Sequence, residues 1–199
     1  MNIYKRTLKV IVSFLINWPK FLRMKSKGKK TIVGRGLIIN GAFKEKISIG
    51  NNVTIGRFCR IGNTFGQGAG IVIGNECNIG NNFTAIDGEI IIDDNALIAS
   101  GVSIFAGNHK INVNLNECNR GYSDTGMTFS PVHIGKNCWI GEKVVILPGV
   151  TIGEYSIIGA GSVVSRSIPK KSIAVGNPAK VIKKYDDSYN EWVSVQSNN

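Results

Sequence analysis

The sequence is short of proline, histidine and paired cysteines, and each shortage removes a class of protein. Five prolines in 199 residues, beside 24 glycines, suit a fold made of turns and speak against a disordered chain. The four cysteines, Cys59, Cys77, Cys118 and Cys138, form no CxxC pair, so neither a zinc ribbon nor a dithiol redox motif is indicated. The glycine-rich stretch 64–70, TFGQGAG, is followed by no GK[ST], which removes a phosphate loop. No apolar run is long enough to span a bilayer as a helix. Acidic residues are missing from residues 1–30, which hold nine Lys or Arg, whereas residues 31–199 hold fifteen basic and thirteen acidic residues. The basic surface is therefore the N-terminus, and the remaining chain is close to balanced.

Glycine is abundant at 24 residues, and its placement is periodic. Over residues 134–164 the aliphatics Ile134, Ile140, Ile146, Ile152, Ile158 and Val164 recur every six positions. Small or compact residues sit four places after each of the first five: Cys138, Val144, Val150, Ser156 and Ser162. A period of six is neither the 3.6 of a helix nor the alternation of a plain strand. A short strand and a tight turn, repeated, generate it, with one aliphatic pointing inward per strand. Ile49, Ile55 and Ile61 open earlier repeats, Ile73 and Ile79 continue them, and a one-residue slip places the next aliphatics at Ile86, Ile92, Ile98 and Ile104. Asn51, Asn52, Asn75, Asn81, Asn82 and Asn95 fall at the turns, where asparagine tolerates left-handed backbone. Cys59 and Cys77, eighteen residues apart, are expected to stack as reduced, buried small residues.

The chain divides into three parts. Residues 1–30 read as a basic amphipathic helical arm, with Tyr4, Leu8, Ile11, Leu15, Trp18 and Leu22 at helical spacing and Pro19 ending the helix. The arm fits two roles, a cap on the open end of the solenoid or a contact with an anionic membrane. Residues 31–176 form the repeat domain, interrupted once by a polar loop over 110–131. Residues 177–199 are expected to start a C-terminal capping helix at Asn177–Pro178. An ordered solenoid broken by one long loop points to function at the loop. His109 stands at its entrance, where a neutral imidazole can take a proton from an alcohol or amine. His133, just before a repeat aliphatic, reads as structural.

The hexapeptides, the NH before the polar loop, SPVHIG, CWIG, GAGSVV and GNPAKVIKK together resemble the left-handed β-helix acyltransferases, over roughly residues 73–184. The likeness is to the galactoside, maltose and polysaccharide O-acetyltransferases. It implies a left-handed parallel β-helix with three hexapeptides per triangular coil, capping helices at both ends and one protruding loop. It implies His109 as general base and acetyl-CoA as acyl donor, without a metal. Carried over position by position, it implies donor contacts at Trp139, Glu142 (through its N–H), Ala160, Ser165, Arg166, Lys180 and Lys183. Acceptor contacts fall at Asn82 and Asp87. The β-helix carbonic anhydrases need three histidine ligands, and this chain has two.

The expected protein is a homotrimeric, cytoplasmic O-acetyltransferase acting on a sugar hydroxyl of a surface polysaccharide or its precursor, with the arm either capping the solenoid or also touching the inner membrane face. The alternatives are an N-acetyltransferase of an amino-sugar nucleotide and a non-catalytic β-helix scaffold. Nucleic acid ranks low, because the excess charge lies on a helix with a broad apolar face.

Overall fold

A computed structural model of the chain describes residue 11 and residues 26–40, 47–62, 70–110 and 126–195. Within them the chain winds as a parallel β-helix with three flat faces. Face A stacks Ser26–Lys27, Ile47–Ile49, Ile71–Ile73, Ile90–Ile92, Val132–Ile134 and Thr151–Ile152. Face B stacks Ile32–Val33, Thr54–Ile55, Asn78–Ile79, Leu97–Ile98, Trp139–Ile140, Ile157–Ile158 and Ser172–Gly176. Face C stacks Ile38–Asn40, Arg60–Gly62, Thr84–Ile86, Ser103–Phe105, Val145–Ile146 and Val163–Val164. The expected solenoid and its inward aliphatics are therefore present. Ile134, Ile140, Ile146 and Ile152 are fully buried, as are Ile92, Ile98 and Ile104.

Two of the three corners are strictly regular. Each face B strand starts five positions after the face A strand ends, as in 27 to 32 or 134 to 139. The same step leads from face B to face C, as in 33 to 38 or 140 to 145. Asn52, Asn82, Asn95 and Asn137 occupy these corners at positive φ (55–64°), as the sequence suggests. Asn51, Asn75 and Asn81 act differently, bonding one coil to the next. Lys29 N–H donates to Asn51 Oδ1 (2.8 Å), Asn51 N–H to Asn75 Oδ1 (2.9 Å), and Asn75 N–H to Asp94 Oδ1 (2.6 Å). At the B/C corner Arg57 N–H donates to Asn81 Oδ1 (2.8 Å) and Asn81 N–H to Ser100 Oγ (3.2 Å).

Every departure from the period falls at the third corner, between faces C and A. The chain passes from 40 to 47, from 62 to 71, from 86 to 90 and from 105 to 132 there. The one-residue slip also sits at this corner. Ala85, not Ile86, fills the inward slot, paired with Ile61 and Ile104, and the extra residue is taken up by Asp87 (φ 63°) and Gly88 (φ 140°).

Three further expectations are corrected. Among the described residues strands stand where the C-terminal capping helix was expected. Ala179–Asp186 runs antiparallel to Ser172–Gly176, and Glu191–Ser194 antiparallel to Ala179–Asp186, extending face B. In AKVIKKY the half-buried Val181, Lys183 and Tyr185 alternate with exposed Lys180, Ile182 and Lys184, a period of two that outweighs the Asn-Pro signal. Cys59 and Cys77 do not stack. The coil joining them includes the extra residues at the C/A corner, so Thr54 pairs with Asn78, twenty-four residues on. Cys59 lies at the B/C corner, while Cys77 and Cys138 share the A/B corner on either side of Ala96. The parallel ladder also starts at Ser26–Lys27, inside the segment read as arm. Of the N-terminal helix only Ile11, helical and exposed, is described. The rest of residues 1–25, and Cys118 with residues 111–125 of the polar loop, lie outside the described residues.

Ile140→Ala is expected to cost about 2–5 kcal/mol by removing a fully buried side chain that stacks on both neighbouring coils. Leu97→Ala, at a face B position 46% exposed, should shift stability by roughly 0.5 kcal/mol or less. Urea unfolding of the two variants reads the difference, and equal losses would mean that the inward register is wrong.

Candidate functional site

The predicted site residues sort onto two separate edges of the prism. The C/A corner carries the first set. Gly107–His109 leaves it as a strand antiparallel to Met127–Phe129, with His109 opposite Met127. Lys110 N–H donates to Gly126 O (3.1 Å), so the root of the polar loop is a short hairpin that holds His109 exposed beyond the body. Asp87 lies beneath this hairpin, 8% exposed. A Cβ at Gly107 would stand 2.7 Å from Asp87 O and 3.0 Å from Asp87 Cβ, so only glycine lets the hairpin root sit this low. Ser165 and Arg166 follow face C two coils further along the same corner, both exposed.

Face B and the B/C corner carry the second set. Trp139 projects outward from face B, 51% exposed, stacked between Leu97 and Ile157. Glu142 and Ala160 are exposed at the B/C corner in consecutive coils, with Gly161 N–H donating to Glu142 O at 2.7 Å. Among the described residues the N–H groups of Glu142 and Ala160 donate to nothing, whereas the equivalent Arg57 and Asn81 N–H groups are capped by side chains of the next coil. Two open backbone donors thus lie one coil apart at this corner, about 4.8 Å. Lys180 pairs with Val175 and Lys183 with Ile173 in the antiparallel extension beyond them. Asn82 is on this corner too, a full face away from Asp87.

In a triangular coil the C/A corner is the vertex opposite face B. One chain therefore holds His109 and Trp139 on opposite sides of its own body and cannot close them on one substrate.

His133 is held on the outer surface of face A. Its Nε2 lies 2.8 Å from Asp93 Oδ2, with side chains 44% and 40% exposed. An exposed pair of this kind contributes about 0–1 kcal/mol. Among the described residues its side chain bonds only Asp93 and nothing in the hairpin, as a structural histidine would.

Sequence reasoning missed an aromatic hollow of about 390 Å³ beside Trp139, lined also by Tyr155, Ile157, Lys171, Tyr185 and Trp192. Tyr185 and Trp192 meet edge to face with ring centroids 5.3 Å apart. Lys171 Nζ lies 5.7 Å from the Tyr185 ring and is paired with Asp187. The alternation in AKVIKKY and the aromatic tail were the available signals for it.

Comparison with known proteins agrees with the fold. Residues 131–166 match the family model described as bacterial transferase hexapeptide (six repeats), and residues 70–106 match the hexapeptide repeat of succinyl-transferase. The chain thus carries hexapeptide repeats in two stretches, and its parallel β-solenoid matches the left-handed β-helix of hexapeptide-repeat proteins. The galactoside O-acetyltransferase of Escherichia coli is 43% identical over 101 residues, 51% of this chain and 47% of that protein. A Staphylococcus aureus relative is 55% identical over 75 residues, 36% of its own length. The matches thus span between a third and a half of these relatives. Among solved structures, AntD, an N-acyltransferase from Bacillus cereus in complex with dTDP and 3-hydroxybutyryl-CoA, aligns with TM-score 0.69 and 27% identity over 87% of this chain and 89% of that one. A maltose O-acetyltransferase from Clostridium difficile 630 aligns with TM-score 0.58 and 29% identity over 93% and 88%.

The thiols are placed to be inert. Burial raises the pKa of Cys59 and Cys77, and pushes that of Cys138 up to about 11. At pH 8 these groups are protonated, and the thiolate is the reactive form. In a Cys118→Ser background, an aromatic disulfide reagent should label none of the three on the folded protein at pH 8 and all three in urea. Rapid labelling of Cys138 in the fold would contradict its placement.

Proposed function

We propose that the protein is an acetyl-CoA-dependent O-acetyltransferase of a sugar hydroxyl, with each site built from two copies of the chain in a homotrimer. The observation that carries this reading is the opposition of the two edges. His109 projects from one vertex, while Trp139, the open N–H donors of Glu142 and Ala160, and Lys180 lie on the opposite face and its border with face C. A neighbour in closed cyclic packing can bring its vertex against that face.

In this arrangement His109 takes the proton of the acceptor hydroxyl as its oxygen bonds to the acetyl carbon. The N–H groups near Trp139–Glu142 receive the charge that develops on the carbonyl oxygen. The carbon–sulfur bond then breaks, and His109 returns the proton to the departing thiolate. The pantetheine arm runs past Ala160, and the nucleotide phosphates meet Lys180 and Lys183 at the exposed end of face B. Ser165 and Arg166, on the histidine edge, reach the same donor from the other chain. Asp87, under the hairpin, is the acceptor contact that the geometry supports. Asn82, across face C, belongs to the donor edge instead.

The acceptor class rests on the likeness to galactoside and maltose O-acetyltransferases, and a surface polysaccharide or its precursor is the proposed context. A second reading, N-acylation of an amino-sugar nucleotide, is favoured by the AntD structures. One variant of AntD, bound to dTDP-4-amino-4,6-dideoxyglucose and coenzyme A, aligns with TM-score 0.71 and 28% identity. Turnover of that nucleotide sugar against neutral sugars separates the two readings.

His109→Ala should lower kcat by roughly 10²–10⁴ without changing the melting temperature, while His133→Ala keeps most activity. Dissociating and reassociating His109→Ala with Lys180→Glu should restore part of the activity that each lacks at low donor concentration. Mixed assemblies that stay inactive despite proven exchange would overturn the shared site.

A further inference from the structure

The charge of the molecule is polarised along the solenoid axis. Residues 1–62 contain fourteen basic residues and one acid, Glu45, whereas residues 63–199 contain ten basic and twelve acidic residues. Within the described part of the first two coils, residues 26–40 and 47–62, there are six basic residues and no acid. One end of the folded body is therefore basic by itself, apart from any arm that precedes it.

That end also leaves large apolar side chains more than half exposed. Phe58 sits at the B/C corner, 64% exposed, with φ 57°. A bulky side chain in left-handed backbone is disfavoured, and the corner of the next coil uses Asn82 at φ 55°. The Phe58 ring lies over Gly36, where a Cβ would come within 2.4 Å of Cδ1. Its other side faces solvent. Ile38, 53% exposed, projects from face C beside it, in register with Arg60. Arg35 and Arg57 are exposed on the same corner, and Phe58 N–H donates to Arg35 O at 2.9 Å.

We infer that this end of the β-helix is a docking surface for an anionic lipid bilayer. Phe58 and Ile38 enter the interfacial layer, and Arg35 and Arg57 meet lipid phosphates. Apolar side chains bracketed by cations are what such an interface rewards. Charge decides against two other occupants. Residues 1–25 carry six basic residues and no acid, so the arginines repel that segment and both seek the same anionic surface. A second copy docked end to end would bring the same positive charge against itself. The coil that roots the His109 hairpin lies two coils from Arg60–Gly62, about 10 Å along the axis. Docking on this end would hold the hairpin close above the headgroups.

Co-sedimentation of the full-length protein with vesicles tests this without reference to catalysis. Wild type should bind phosphatidylglycerol–phosphatidylcholine vesicles at least tenfold better than phosphatidylcholine alone, and lose most of that binding in 0.5 M salt. Phe58→Asn should weaken binding at least threefold with a melting temperature unchanged or higher. Arg35→Gln with Arg57→Gln should weaken it at least fivefold, while Lys136→Gln, at the A/B corner of a later coil, leaves it unchanged. Wild-type binding by the patch variants would mean that the arm acts alone and would overturn the inference. So would equal binding to both vesicle types, or binding to a single-stranded oligonucleotide but to neither vesicle.

Discussion

The structure depends on one constraint: each coil must lie on the next so that backbone hydrogen bonds and inward aliphatics both continue. Parallel strands stacked on three faces leave no freedom within a face, since a one-residue shift would turn Ile140 or Ile98 outward. Two corners are bound almost as tightly. The A/B and B/C turns carry side-chain bridges from coil to coil, and glycines such as Gly56 accept backbone of the next coil within 2.6 Å of where a Cβ would be. Extra chain can therefore enter only at the C/A corner. It does so in coil after coil, at 40–47, 62–71, 86–90 and 105–132.

This concentrates variable chemistry on one edge and regular chemistry on another. The C/A edge receives the hairpin of His109, the buried Asp87 and the residues that interrupt the period. The face B edge keeps its period, so its features recur at coil spacing: Trp139 among Leu97 and Ile157, and the open N–H groups of Glu142 and Ala160. Repetition suits a long, extended donor. Irregularity suits an acceptor that must be selected. The opposition of the two edges within one triangular body makes association between copies part of the proposed chemistry.

Much of this was legible in the residues. The sixfold recurrence from Ile134 to Val164 prescribed a solenoid, because no other regular structure has that period. The asparagines marked corners, and His109 was marked by its place at the break. Other features were not legible. Nothing local says that the stretch 64–70, the slip at Asp87–Gly88 and the long loop share one corner, because that follows only when strands are counted around the triangle. Ile86 looked like the repeat residue because Ala85 is small, although Ala85 is the one pointing inward. The tail was misread as a helix because Asn177–Pro178 is a local signal, while the alternation in AKVIKKY is satisfied only against the last strand of face B. The pairing of Cys59 with Cys77 failed for the same reason, a spacing of eighteen that hides an insertion.

In the proposed assembly two copies of the chain build one site across opposite edges. A structure of the assembled protein with coenzyme A bound tests it most directly. The thiol end should lie within about 4 Å, ordinary contact distance, of His109 from one chain and of Trp139 or the Glu142 N–H from its neighbour. A coenzyme A molecule contacted by His109 and Trp139 of the same chain, or by one chain alone, would contradict it.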